Sequence, residues 1–355
     1  MTLRVLDHVP DALLTVPVRG IAEVLPGPTL MHLDGQRRPA LFVSALLHGD
    51  ESTGLVAVQQ LLRRHAGRAL PRALSIFVGN VVAARAGVRH LPQQPDFNRV
   101  WPGGDGSDGE EVELMRNVVA AMRQRGAFAS IDLHNNSGLN PRYACVNRLD
   151  AAFLQLATLF SRTVVYFSEP RGVQSAAFAE LCPAVALECG RAGDAAGEAR
   201  AADVLDAVLH LAELPRHAPS ATDIDLFHTV AIVKVPAEIT LSFDGSAADL
   251  VFREDLDHLN FSELAPGTPL ARARLPARAL LWVSGGDGTN RWERFFAVRD
   301  GHLVLRERLM PAMLTRSIVA VRQDCLCYLM ERLPLPATAG AGRSPRGETP
   351  PSASR

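Results

Sequence analysis

In "ALLHGDESTG" (Ala45–Gly54) a histidine and a glutamate stand three residues apart, His48 and Glu51, directly after an apolar run. H-x-x-E at a strand end or in a first helical turn can turn both side chains toward one cation, with Gly49 letting the backbone bend. A catalytic zinc takes about three protein ligands and leaves one position open. "SIDLHNNSGLN" supplies a further candidate, His134, with Asp132 two residues earlier on the same strand face. A carboxylate so placed can orient a ligating histidine through its other ring nitrogen. "AVALECG" ends a buried-looking run on Glu188. A carboxylate there is costly to bury unless it is partnered or functional, and partial desolvation suits a general base. "QQPDFNRVWPGG" offers Asn98 and Arg99 in a polar loop, and arginine suits bidentate capture of a carboxylate. Each also has a plain structural reading. His48 and Glu51 could belong to an ordinary loop, and His134 could be a hydrogen-bonded strand-end histidine. Glu188 could pair with Arg191, and Arg99 could be an exposed loop charge.

The elements that must position these residues alternate. "RPALFVSALLH" reads as a strand and "ESTGLVAVQQLLRRHAG" as an amphipathic helix stopping near Gly67. "ALSIFVGNVVA" reads as a second strand. "GSDGEEVELMRNVVAAMRQRG" reads as a helix, with Ser107 or Asp108 as N-cap. "FASIDLH" is a third strand, "DAAFLQLATLFSRTV" a helix, "PAVALECG" a strand and "GEARAADVLDAVLHLAEL" a helix. Apolar strands alternating with helices predict an α/β fold with a mostly parallel sheet between helices. Ligand sites in such sheets lie beyond the carboxyl ends of the strands, where His48, His134 and Glu188 fall. After "ELPRHAPSATD" the chain becomes rich in short strands such as "FHTVAIVKV", "GHLVLRE" and "SIVAVRQDCLCYLM". We therefore expect a catalytic domain over 1–222, a smaller β-rich domain over 223–335 and a disordered tail over 336–355.

The 355 residues are 47% hydrophobic and nearly neutral, with 37 Lys plus Arg against 38 Asp plus Glu. No basic excess points to nucleic acid, and no apolar run approaches the roughly 20 residues that span a bilayer. The N-terminus lacks a secretory leader pattern. The five cysteines are irregularly spaced and fit neither a disulfide framework nor a four-cysteine zinc site. Reduced core thiols in a cytoplasmic protein are the expectation.

In order, H-G-D-E, D-F-N-R, D-L-H-N and E-C-G followed by a β-rich segment resemble the succinylglutamate desuccinylase and aspartoacylase branch of the zinc carboxypeptidase superfamily. The resemblance runs from Arg38 to Arg191, and "DLHNNS" is closer to the aspartoacylase form. It implies a mixed eight-stranded sheet between helices with a C-terminal β domain. It implies zinc on His48, Glu51 and His134, with Glu188 deprotonating water and passing the proton to the leaving amine. Asn98 and Arg99 would hold a substrate carboxylate. Arg89, slightly farther from Asn98 than the family spacing, would polarise the scissile carbonyl, where negative charge develops. One departure stands out. Where the family pattern has a second carboxylate-binding arginine, this chain has Phe178, and Arg171 lies farther upstream. A substrate with a single carboxylate is then at least as well supported as a dicarboxylic one.

The expected function is a zinc-dependent hydrolase cleaving the amide of a small N-acylated amino acid or related carboxylate-bearing amide. Neither nucleic acid nor membrane is an expected partner, and the oligomeric state is open. The alternatives are a metallocarboxypeptidase acting on short peptides and, from another class, a non-catalytic small-anion-binding domain.

Overall fold

The computed structural model describes residues 1–106, 108–274, 280–285 and 288–335. The expected tail, 336–355, and one candidate cap, Ser107, lie outside them. The strands are β1 (Arg4–Leu6), β2 (Thr29–Leu33), β3 (Ala40–Ala45), β4 (Leu74–Val78), β5 (Ala127–His134), β6 (Tyr143–Val146), β7 (Thr163–Tyr166), β8 (Ala184–Glu188) and β9 (Asp225–Lys234). They continue with β10 (Leu241–Ser242), β11 (Leu250–Phe252), β12 (Pro269–Ala273), β13 (Trp282–Ser284), β14 (Phe296–Arg299), β15 (His302–Leu305), β16 (Met310–Ala312) and β17 (Cys327–Arg332). The helices are α1 (Ile21–Val24), α2 (Thr53–Arg64), α3 (Val81–Ala86), α4 (Glu110–Arg125), α5 (Ala151–Thr158), α6 (Gln174–Phe178), α7 (Ala195–His210), α8 (Trp292–Phe295) and α9 (Ile318–Gln323). No helix among the described residues is long and apolar enough to cross a membrane.

The fold is α/β, with a large, mostly parallel sheet flanked by helices and a separate smaller sheet. The main sheet runs β1-β2-β4-β3-β5-β8-β6-β7-β9-β17-β16, with β13 also on β9. Its first eight positions are β1–β8. At its centre β4, β3, β5 and β8 are parallel. Every residue of β3 and β4 is buried, as expected of strands covered on both faces. Gly54 of α2 lies against Ala45 and Leu133 on one face, whereas Phe178 of α6 stacks on Phe42 at 4.2 Å on the other. The second sheet runs β10-β11-β12-β15-β14.

The C-terminal segment joins the main sheet through β9, which is parallel to β7 and antiparallel to β17. A second hydrophobic cluster begins at Ala231. A division near residue 223 remains our proposal for the domain organisation.

Four local readings change. "ALSIFVGNVVA" is not one strand. It ends at Val78, and the Asn80 side chain accepts from Ala83 N at 3.1 Å to start α3, because Asn favours capping a helix over continuing a strand. The run ending in "SRTV" leaves the helix after Thr158, and Thr163–Tyr166 becomes β7. "SIVAVRQDCLCYLM" begins as α9, capped by the Ser317 side chain on Ala320 N at 3.2 Å, before β17. Helix α4 starts after Gly109 with no side-chain cap, so Asp108 does not serve there.

Candidate active site

The loop between β3 and α2 carries His48 and Glu51. Its left-handed residue is Leu46, at φ 55°. Gly49 has no positive φ, so it is needed for space rather than for the bend we expected. A Cβ there would lie 2.2 Å from the backbone of Ala83 and Ala84. The loop thus packs directly on α3, and Gly49 N donates to Arg89 O at 3.0 Å.

His48, Glu51 and His134 are 3%, 7% and 4% exposed, and each offers a donor atom within 4.8 Å of the others. Nδ1 of His48 lies 2.7 Å from Glu51 Oε1, and Nδ1 of His134 lies 2.8 Å from Oε2. The two Nε2 atoms face away to carboxylates, His48 to Asp96 at 2.9 Å and His134 to Asp132 at 2.6 Å. Asp132 and His134 share one face of β5 because side chains repeat every second residue. Ser44 Oγ fixes Asp132 by donating to Oδ1 at 2.7 Å. Burial alone would lower both histidines, and Arg89 adds to that at His48. Glu51 with Asp96 at one, and Asp132 with Glu51 at the other, outweigh it and raise both. Burial would likewise raise Glu51, but His48 and His134 hold it far below the usual carboxylate range. Two imidazole nitrogens and a carboxylate, each imidazole steered by an outer carboxylate, form a donor set that fits a divalent cation such as zinc.

Glu188 closes the other side. The β5–β8 register pairs it with His134. Asn136 Nδ2 donates to its Oε2 at 2.6 Å. Burial pushes its carboxyl up to about 7, only partly opposed by His134. Arg191 does not pair with it and reaches Asp257 at 3.3 Å instead.

The arginines are more constrained than the sequence suggested. Arg89 binds Asp96 Oδ2 through Nε at 3.1 Å and Nη2 at 2.8 Å, and Nη2 also lies 3.4 Å from Asp324. Its Nη1 points toward the triad, 3.7 Å from Glu51 Oε1. Arg99 donates to Asp324 Oδ1 at 2.7 Å and to Asn98 O at 2.8 Å. Asn98 Oδ1 accepts from Gln174 N at 2.8 Å, and its Nδ2 stands 3.1 Å from His134 Nε2. All seven sequence candidates line one cavity. Sequence reading missed Asp96, Asn136 and Asp324. Asp96 lay inside the quoted D-F-N-R and Asn136 inside D-L-H-N-N. Asp324 had only the weak signal of a lone acid between apolar runs.

The profile of the succinylglutamate desuccinylase/aspartoacylase catalytic domain matches residues 37–214, about half of the chain. The chain belongs to this family. Among curated members of the family, a succinylglutamate desuccinylase of Burkholderia orbicola (strain MC0-3) is 42% identical over 72 residues, 20% of each chain. One of Burkholderia lata is 43% identical over 95 residues, 26% of each. The matched stretch therefore spans 20% and 26% of these relatives' length. Solved structures of the family share the fold over much more of the chain. A succinylglutamate desuccinylase of Vibrio parahaemolyticus superposes with TM-score 0.59 at 12% identity, over 86% of both chains. Murine aminoacylase 3 gives TM-score 0.54 at 16% identity, over 84% of this chain and 96–97% of that one.

Proposed function

We propose that this member of the family is a zinc-dependent hydrolase that cleaves the amide of a small N-acylated amino acid or related carboxylate-bearing amide. The observation that carries the reading is the contrast between two glutamates in one cavity. Glu51 is held ionised between His48 and His134, whereas Glu188 is raised to about 7. Pairs of carboxylates pushed apart in this way mark separate ligand and acid–base roles.

His48, Glu51 and His134 would hold the zinc, which supplies Lewis-acid polarisation when bound. Glu188, raised to about 7 and so partly ionised at neutral pH, takes a proton from water in its carboxylate form and returns it to the departing amine nitrogen. Asn136 orients it through Oε2, leaving Oε1 for that transfer. Arg89, clamped by Asp96, turns Nη1 toward the side of the cavity where negative charge would develop on the carbonyl oxygen. Asn98 and Arg99 form the wall suited to a substrate carboxylate. Thr229, Ala312, Met313, Tyr328 and Met330 of the C-terminal segment line the same cavity. That covering favours a small substrate over an extended peptide.

The test is zinc content and hydrolysis of an N-acyl amino acid panel, measured for the wild type and Glu188→Gln. Metal binding with no hydrolysis of any N-acyl amino acid or short peptide by the wild type would leave the anion-binding alternative in its place.

A further inference from the structure

Three observations bear on what the cavity selects. First, both of its arginines already have a protein anion. Asp324, from the turn between α9 and β17, accepts from Arg99 at 2.7 Å and lies 3.4 Å from Arg89, and Asp96 binds Arg89 through Nε and Nη2, leaving Nη1 toward Glu51. Two positive and two negative groups make this cluster neutral. Second, besides the triad histidines these arginines are the only cations among the described residues lining the cavity. Phe178, where the resemblance would put another arginine, is buried on Phe42. Third, Cys145, Val165, Phe167, Val173, Met313 and Met330 give the cavity lining an apolar part that carries no cation. Glu169, at its edge, adds a carboxylate whose partner Arg171 stands outside the cavity.

From these we infer that Asp324 sets the specificity of the site, restricting it to substrates with no more than one carboxylate and an uncharged, apolar substituent lodged against the Val165–Met330 wall. The inference deepens the function proposed above and rests on it for the metal centre. A lone substrate carboxylate can share Arg99, whose guanidinium keeps donors beyond those used by Asp324 and Asn98. A second carboxylate meets either Asp324, whose charge is only partly compensated once the first carboxylate shares Arg99, or apolar side chains, and buried charge without a partner is strongly disfavoured. Replacing Asp324 with its neutral isostere removes the anion from Arg99, while Asp96 still holds Arg89.

The experiment is equilibrium titration of the zinc-loaded full chain with hexanoate and adipate, which have the same chain length and differ by one carboxylate. The wild type should bind hexanoate about tenfold or more tighter than adipate, and Asp324→Asn should narrow or invert that ratio by about tenfold. Adipate bound as well as hexanoate by the wild type overturns the inference, and so does a variant that shifts both ligands equally. If Asp324→Asn does not fold, as read by thermal melting, the wild-type ratio decides alone. Hydrolysis of N-acyl amino acids is assayed in parallel. Its absence beside a hexanoate preference removes the proposed function and keeps the selectivity, whereas turnover with an adipate preference does the reverse.

Discussion

His134 and Glu188 are direct partners in the parallel register of β5 and β8, each the last residue of its strand. The proposed metal ligand and the proposed base are thereby fixed side by side by backbone hydrogen bonds rather than by a flexible loop. Rigid elements hold such constellations more tightly than loops do.

If Glu188 is the base, Glu188→Gln loses turnover by roughly 10²–10⁴-fold with zinc content unchanged. Paired kinetic and metal assays check this. Near-normal turnover in the variant would remove Glu188 from the mechanism.

The same residue costs the metal-free fold stability in alkaline solution. Its folded pKa, about 7, lies above the ordinary value of 4.5. The folded state therefore holds the proton more tightly, and that contribution is present at acid pH and lost as pH rises through about 7. Metal-free Glu188→Gln should melt higher than metal-free wild type at pH well above 7 by roughly 2–4 °C, the shift about 1 kcal/mol produces in a domain of 150–250 residues. The gap should close toward pH 5. A gap that widens on acidification would contradict the raised pKa.

Zinc uptake should release protons and weaken as pH falls, because carboxylates raise both His48 and His134 and the cation must replace their protons. Calorimetry in buffers of different ionisation enthalpy measures the release. Asp132→Asn should lower zinc affinity by roughly 10–100-fold, as loss of an outer partner of a ligating histidine does. Undiminished affinity would show that Asp132 does not orient His134.

Gly49→Ala should disturb the metal loop. The added methyl overlaps the backbone of Ala83, and overpacking of this kind costs about 1–3 kcal/mol. We expect a lower melting temperature together with reduced zinc content. An unchanged melt with full zinc would mean that α3 yields to the methyl at no cost.

The central sheet was legible because β3, β5 and β8 are short apolar runs that give way to His or Glu at their ends, His134 and Glu188, or three residues beyond, His48. Motif order then linked residues that no local pattern joins. The failures have physical causes. "GNVVA" carries strand-forming residues, yet the turn at Gly79 and the Asn80 cap make them helical. "SIVAVRQ" was misread as strand for the same reason, its Ser317 cap overriding β-branched propensity. The hydrogen bonds of Arg89 and Arg99 to Asp324 span 235 and 225 residues. No spacing rule reaches that far, and only the crossing of β9 to β17 brings Asp324 to the arginines.

That long reach has a consequence for synthesis. Strand β17 is the last described element, and Asp324 precedes it by three positions. As the chain leaves the ribosome, the triad and Glu188 can meet while Arg99 still lacks its acidic partner and β9 still offers the edge that β17 later covers. Domains generally fold from the N-terminus as they are made, and an uncovered strand edge invites pairing with other chains. A nascent chain stalled before residue 324 would thus expose an unfinished cavity and an adhesive border. Selectivity and protection from self-association would arrive together, with the last described strand.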